Sequence, residues 1–178
     1  MRIIPHTKEM LTQATRKAKK LGELKNSITG GRGNKAGYLG EEAVAKYLNA
    51  NIMSNDEGSQ KYNHDLILQD GRRAEVKTKR RTVPPLDYYD VSIAQTSLHQ
   101  KPDVYIFVSL EFKESKRLGK NTIYKHLQNV WLLGEKTPKD FLDQSNKWNT
   151  GDIDKSNNFI TKTNMYNLPI NLLDDIKV

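Results

Sequence analysis

Apolar residues early in the chain return every three or four positions. After Thr7, the residues Met10, Leu11, Ala14, Ala18 and Leu21 share one side of a helix through KEMLTQATRKAKKLG, and the basic residues take the other. Thr7 is suited to cap this helix and Gly22 to end it. A second helix is expected in GYLGEEAVAKYLNAN, with a stripe of Val44, Tyr47 and Leu48 extended upstream by Gly40 and Gly37. Glu41 lies three residues before Val44 and seven before Leu48, so it belongs to that inward stripe, whereas Glu42 keeps company with Lys46 and faces water. A carboxylate on the buried side of a helix is costly unless it meets a cation or reaches solvent at the edge. Both readings of Glu41 stand.

NIMSNDEGSQKYN is rich in turn-formers and is expected to be irregular. From Asn63 to Arg81, in NHDLILQDGRRAEVKTKRR, the period becomes two and Asp70-Gly71 marks a hairpin turn. A rigid VPPL loop and the segment VSIAQTSLHQ follow. KPDVYIFVSL has an almost unbroken run of β-formers from Val104 to Leu110, as in a strand covered on both faces. TIYKHLQNVWLLG reads as a further strand, TPKDFLDQ as a short helix capped by Thr137, and NNFITKTNMYNLPINLL as one or two short strands. Trp131, Phe141, Trp148 and Tyr166 form either a satellite core or a dimer surface.

The hairpin admits two registers. A two-residue turn at Asp70-Gly71 sets Leu66 against Glu75 and Asp65 against Val76, mixing apolar and charged residues on both faces. A three-residue loop, Gln69-Asp70-Gly71, ends with glycine in the left-handed conformation and sets Leu66 against Ala74. Leu66, Leu68, Ala74, Val76 and Thr78 then share one face, while Asp65 opposes Glu75 on the other with Lys77 two residues on. The apolar face selects the second register, because a slip of one residue would scramble it. Directly opposed carboxylates have Cβ atoms roughly 4.5–5.5 Å apart and repel, unless a cation lies between them.

With 178 residues, one domain is expected, and there are no cysteines for disulfides, thiolate chemistry or thiolate zinc sites. Hard carboxylate oxygens instead suit Mg²⁺, with Mn²⁺ as a substitute. Such an ion binds phosphate oxygens and activates a water, and Lys77 is placed to orient that water or to stabilise charge building on phosphorus. The net charge of +8 is concentrated at one end: residues 1–36 hold nine basic and two acidic side chains. A polyanion docking on that flank is one reading, and a solvated basic helix the other. The glycine-rich NSITGGRGNKAG, with Arg32 and Lys35, is either a phosphate-contacting loop or a plain linker; it does not match a P-loop. No apolar run approaches a membrane span or a secretory signal, so the expected location is the cytoplasm of a bacterial or phage-infected cell.

The array of Glu41 in GYLGEEAVAKYL, Asp65 in NHDLIL and Glu75-Val76-Lys77 resembles the PD-(D/E)xK nuclease superfamily, which includes restriction endonucleases and Holliday-junction resolvases. The resemblance implies an α/β fold with a restriction endonuclease-like αβββαβ core around a central mixed sheet. It also implies a division into a basic N-terminal helix and loop (1–36), a catalytic core (37–110) and a C-terminal α+β extension (111–178). Asp65, Glu75 and the backbone carbonyl of Val76 would ligate the metal, Glu41 would complete the site, and Lys77 would assist the attacking water. Gln95 is the candidate for a glutamine found after the third strand in some branches and would then contact DNA; a helix cap or surface amide is its other reading. His64 stands where the motif has proline. Lys79, Arg80 and Arg81 continue the strand and are expected, with Arg32 and Lys35, to contact the DNA backbone. The expected activity is Mg²⁺-dependent DNA endonuclease, acting as a homodimer if both strands are cut. An inactive nuclease-fold DNA-binding accessory protein is the alternative, and cleavage of RNA is a third possibility.

Overall fold

The computed structural model describes residues 1–21, 34–53, 64–113, 126–154 and 159–177. Strand β1 (Arg2–Ile4) leads into helix α1 (Lys8–Leu21), followed by α2 (Asn34–Leu48) and the short strands β2 (Asn51–Ile52) and β3 (Leu66–Ile67). The long strands β4 (Arg73–Arg81), β6 (Val104–Phe112) and β7 (Leu127–Lys136) form the body of the sheet. Between the first two lie β5 (Asp90–Ala94) and a 3₁₀ turn at Gln95–Ser97. The C-terminal part supplies α3 (Pro138–Gln144), β8 (Asn146–Trp148), β9 (Ile153–Asp154), β10 (Phe159–Ile160) and β11 (Met165–Pro169).

The main sheet is mixed and curled, with strand order β1-β7-β6-β4-β3-β2. Only β4 and β6 pair in parallel; the remaining neighbours are antiparallel. Strand β5 leaves this sheet and pairs with β11 in a three-stranded sheet, order β5-β11-β8. The protein is therefore mixed α/β. The segment leading into β6 is no more than the 3₁₀ turn, where an αβββαβ order places a helix.

Alternation along the strands divides the core between the two faces of the sheet. Even-numbered residues of β4 and β6 (Ala74, Val76, Val104, Ile106, Val108, Leu110) join Met10, Ala14, Leu39 and Val44 under the helices. Tyr105 and Phe107 point the other way and pack with Val91, Ile93, Phe141 and Leu168. Each fully buried large side chain is worth about 1.5–3 kcal/mol, so β6 is anchored twice over. Three of the four C-terminal aromatics accordingly belong to a satellite core, with Phe141 stacked on Phe107 and with Trp131 and Tyr166 at its edge, whereas Trp148 stands in β8 apart from that cluster.

Helix starts and stops follow local chemistry. Thr7 Oγ1 accepts from the Met10 N–H, and Thr137 Oγ1 from the Asp140 N–H. Helix α2 begins at Asn34, three residues before the expected Gly37, so NKAG is its first turn and not loop. Tyr47, expected in the stripe, is 38% exposed; Ala36, Leu39 and Ala43 hold the buried positions instead. The expected end of α1 at Gly22, and the rest of the glycine-rich loop, lie outside the described residues.

Candidate active site

The hairpin sets the site. Leu66 pairs with Ala74 and Ile67 with Arg73, the register of the three-residue loop. Gly71 closes that loop at φ 84°, where a side chain would be strained, and its N–H donates to Leu68 O at 3.0 Å. Regular pairing stops at Leu66, and Asp65 turns its carboxylate along the strand: Oδ2 accepts from the Val76 N–H at 2.8 Å. The expected face-to-face arrangement of Asp65 and Glu75 is thus modified. Asp65 is held on the backbone beside Glu75, near enough for the two charges to repel.

Glu75 is 5% exposed. Its Oε1 accepts from Lys77 Nζ at 2.8 Å and from Gln100 Nε2 at 2.7 Å, while its Oε2 is buried with no hydrogen-bond partner. Lys77 Nζ also donates to Gln100 Oε1 at 2.9 Å, closing a three-membered ring of contacts. Arg73 and Asp103 form a two-pronged ion pair that ties the start of β4 to the entry of β6 and holds the Asp103 carboxyl below its usual range.

Glu41 comes from α2, which approaches β4 at Gly40. A methyl group on Gly40 would lie 2.1 Å from Thr78 Oγ1, so only glycine lets the helix sit this close. Burial, and then the charge of Asp65, push the Glu41 carboxyl up to about 8, against the opposing effect of Lys17. Burial and the charge of Glu75 push Asp65 up to about 7, although the Val76 N–H and Lys77 favour its ionised form. Glu41 and Asp65 therefore share one acidic group with the Glu75 carboxylate, and each proton retained on Glu41 or Asp65 relieves repulsion. Among the described residues, no group of three or more His, Cys, Asp or Glu side chains is drawn together tightly enough to hold a metal ion as it stands.

Several sequence expectations need correcting. Gln95 is exposed and opens the 3₁₀ turn, so the amide at the carboxylates is Gln100, five residues on. Both glutamines stand in VSIAQTSLHQ, and periodicity cannot choose between them because the strand ends at Ala94. Glu42 does not face water with Lys46; it pairs with Lys17 of α1 at 2.7 Å. Lys17 was not singled out in the sequence, because the pairing crosses between two helices.

Lys79 shares the face of Glu75 and Lys77, but its ammonium is turned inward to Asp90 O at 2.9 Å and Ser92 Oγ at 2.8 Å. Burial, reinforced by the charge of Arg81, pulls it down to about 8. A cavity of about 90 Å³ lies between Lys77, Lys79, Ser92 and Phe107. Arg81 donates to Asp90 O and lies over the Tyr89 ring, which leaves Arg80 as the more available cation of the pair. Lys35 is half-buried in the first turn of α2, its pKa lowered by burial and by Lys19; Arg32 lies outside the described residues. Val76 has its side chain in the helix-facing core and its backbone between the two site residues. Burial and the charge of Arg73 lower the pKa of His64.

No protein-family model matches the chain, and no curated protein matches it.

Proposed function

We propose that the chain is a divalent-metal-dependent nuclease that hydrolyses DNA phosphodiester bonds internally, on a restriction endonuclease-like core. The observation that carries this reading is Glu75: a carboxylate 5% exposed, with one oxygen lacking any hydrogen-bond partner, set beside two further acids. A buried carboxylate oxygen left unsatisfied is costly, and acids grouped around it add repulsion. A hard cation would relieve both. Asp65, Glu75 and Glu41, with the Val76 carbonyl, would hold Mg²⁺ or Mn²⁺, which when bound lowers the pKa of a coordinated water and neutralises phosphate charge.

The protein's own groups then have distinct tasks. The Val76 N–H fixes Asp65, Gln100 fixes both Glu75 and the Lys77 ammonium, and Lys77 offers a positive charge where a phosphate oxygen or attacking water would sit. The mixed sheet, the helix before the hairpin and the parallel pairing of β6 with β4 suit the proposed core. The detached β5 and the missing helix before β6 depart from it.

The test is incubation with plasmid and branched DNA in Mg²⁺ or Mn²⁺, with matched RNA alongside. Cleavage by the wild type and none by Glu75→Ala is expected. No cleavage of any substrate, or equal cleavage by both proteins, would overturn the proposal. A second reading, an inactive DNA-binding accessory protein, is favoured by the closed ring of Glu75, Lys77 and Gln100. It expects strongly salt-dependent binding without turnover.

A further inference from the structure

Past Arg81 the chain enters a loop that keeps large apolar groups in water. Tyr88 is 71% exposed, Val83 48% and Leu86 43%. Pro84 and Pro85 restrict the backbone in the middle of this loop. The Tyr89 N–H donates to Leu86 O, the Ile170 N–H to Tyr89 O and the Asn171 N–H to Asp87 O, all at 2.9 Å. Tyr88 also meets Tyr89 edge-on, with ring centroids 5.0 Å apart, and Arg81 covers Tyr89 at 4.9 Å. An aromatic side chain held on an anchored loop but left uncovered gains little for folding. It is prepared for a flat partner, because little freedom remains to be lost on binding.

We infer that Tyr88 is a stacking platform for an unpaired nucleobase, belonging to a strand whose phosphates pass Arg80 at the end of β4. The inference rests on the nucleic-acid reading of the site and names its substrate class: DNA with unpaired bases, whether single-stranded, branched or frayed. Arg80 supplies positive charge at the entry to the loop, while Lys79 and Arg81 are turned inward to β5 and Asp87 and Asp90 lie in the same stretch. Every base has a π-face, so such a platform tolerates any sequence.

Binding should be measured in EDTA by fluorescence anisotropy, using a short labelled single strand, an abasic strand with the same number of phosphates, and the duplex. The wild type is expected to bind the base-bearing strand about tenfold more tightly than the abasic one. Tyr88→Ala should erase that gap while leaving abasic binding unchanged, and Tyr88→Trp should keep it, with indole emission quenched by the single strand. A gap that survives Tyr88→Ala, or a wild type without one, would overturn the inference. So would a dimer that Tyr88→Ala converts to monomer with the gap intact, since the patch would then belong to a second copy of the chain. Glu75→Ala should keep the gap. A protein that shows the gap but never cuts DNA in Mg²⁺ would refute the nuclease reading alone, and one that cuts without a gap would refute the platform alone.

Discussion

Lys77 Nζ stands 2.8 Å from Glu75 Oε1, two residues earlier on the same face of β4, and both side chains are largely shielded from water. Removing one member of a shielded pair leaves the other charge without compensation. Lys77→Met is therefore expected to cost about 3 kcal/mol, and adding Glu75→Gln should recover most of that loss. Urea denaturation of the four proteins of this cycle measures the coupling; additive effects would show that the pair is not energetically linked. In the cleavage assay each single variant should lose at least about 10²-fold in rate.

Gln100 bridges the same two groups, donating to Glu75 and accepting from Lys77. A hydrogen bond to a charged group is worth about 1.5–3 kcal/mol, so Gln100→Ala should slow cleavage by roughly one to two orders of magnitude. Gln95→Ala, at the exposed start of the 3₁₀ turn, should leave the rate unchanged. Single-turnover kinetics on one DNA substrate distinguishes the two positions.

Stability should depend on pH in an unusual direction. Glu41 is raised from its ordinary 4.5 to about 8 and Asp65 from 3.8 to about 7, so the folded protein keeps protons that the unfolded chain has released. Their contribution is fully present below about pH 4 and is lost as pH climbs to about 8. Metal-free protein should accordingly melt at a lower temperature at pH 8 than at pH 5.5, and Glu41→Gln should flatten that slope. Adding Mg²⁺ at pH 8 should raise the melting temperature, because an ion that binds only the folded form stabilises it. A slope of the opposite sign, unchanged in Glu41→Gln, would remove the coupled acids as its cause.

Gly40 is the closest point between α2 and the sheet, with Thr78 directly beneath it. Gly40→Ala should destabilise by about 1–3 kcal/mol through overpacking, and Thr78→Ala in the same chain should return part of the loss. Denaturant midpoints measure this. An unaltered midpoint for Gly40→Ala would mean that the helix can move away at little cost.

Much of the scaffold was legible because its signals are local. Gly71 in a left-handed turn and the apolar set Leu66, Leu68, Ala74 and Val76 were enough to choose the hairpin register. The continuous run in β6 announced a strand covered on both faces, and Thr137 a helix start. What stayed hidden depends on distant partners. Asp65 turns away from the position opposite Glu75 because the Val76 N–H offers a hydrogen bond at the strand end. Gln100 replaces Gln95 because a 3₁₀ turn, not a strand, separates them. Lys79 is drawn inward by a carbonyl and a hydroxyl on β5 that no spacing rule foretells. The separation of β5 from the main sheet depends on β11, more than 60 residues later in the chain.

Strand β4 lies inside the main sheet, flanked by β3 and β6, and its side chains alternate between the helix-facing core and the charged cluster. The packing of one side and the charge of the other can therefore be altered by separate substitutions. Exchanges among aliphatics at Ala74 or Val76 adjust how firmly α2 is seated, while changes at Glu75, Lys77 or Lys79 act on the charged cluster and its ties to β5. A single-residue deletion within the strand has no such freedom, since it would swap the two roles along everything downstream of it.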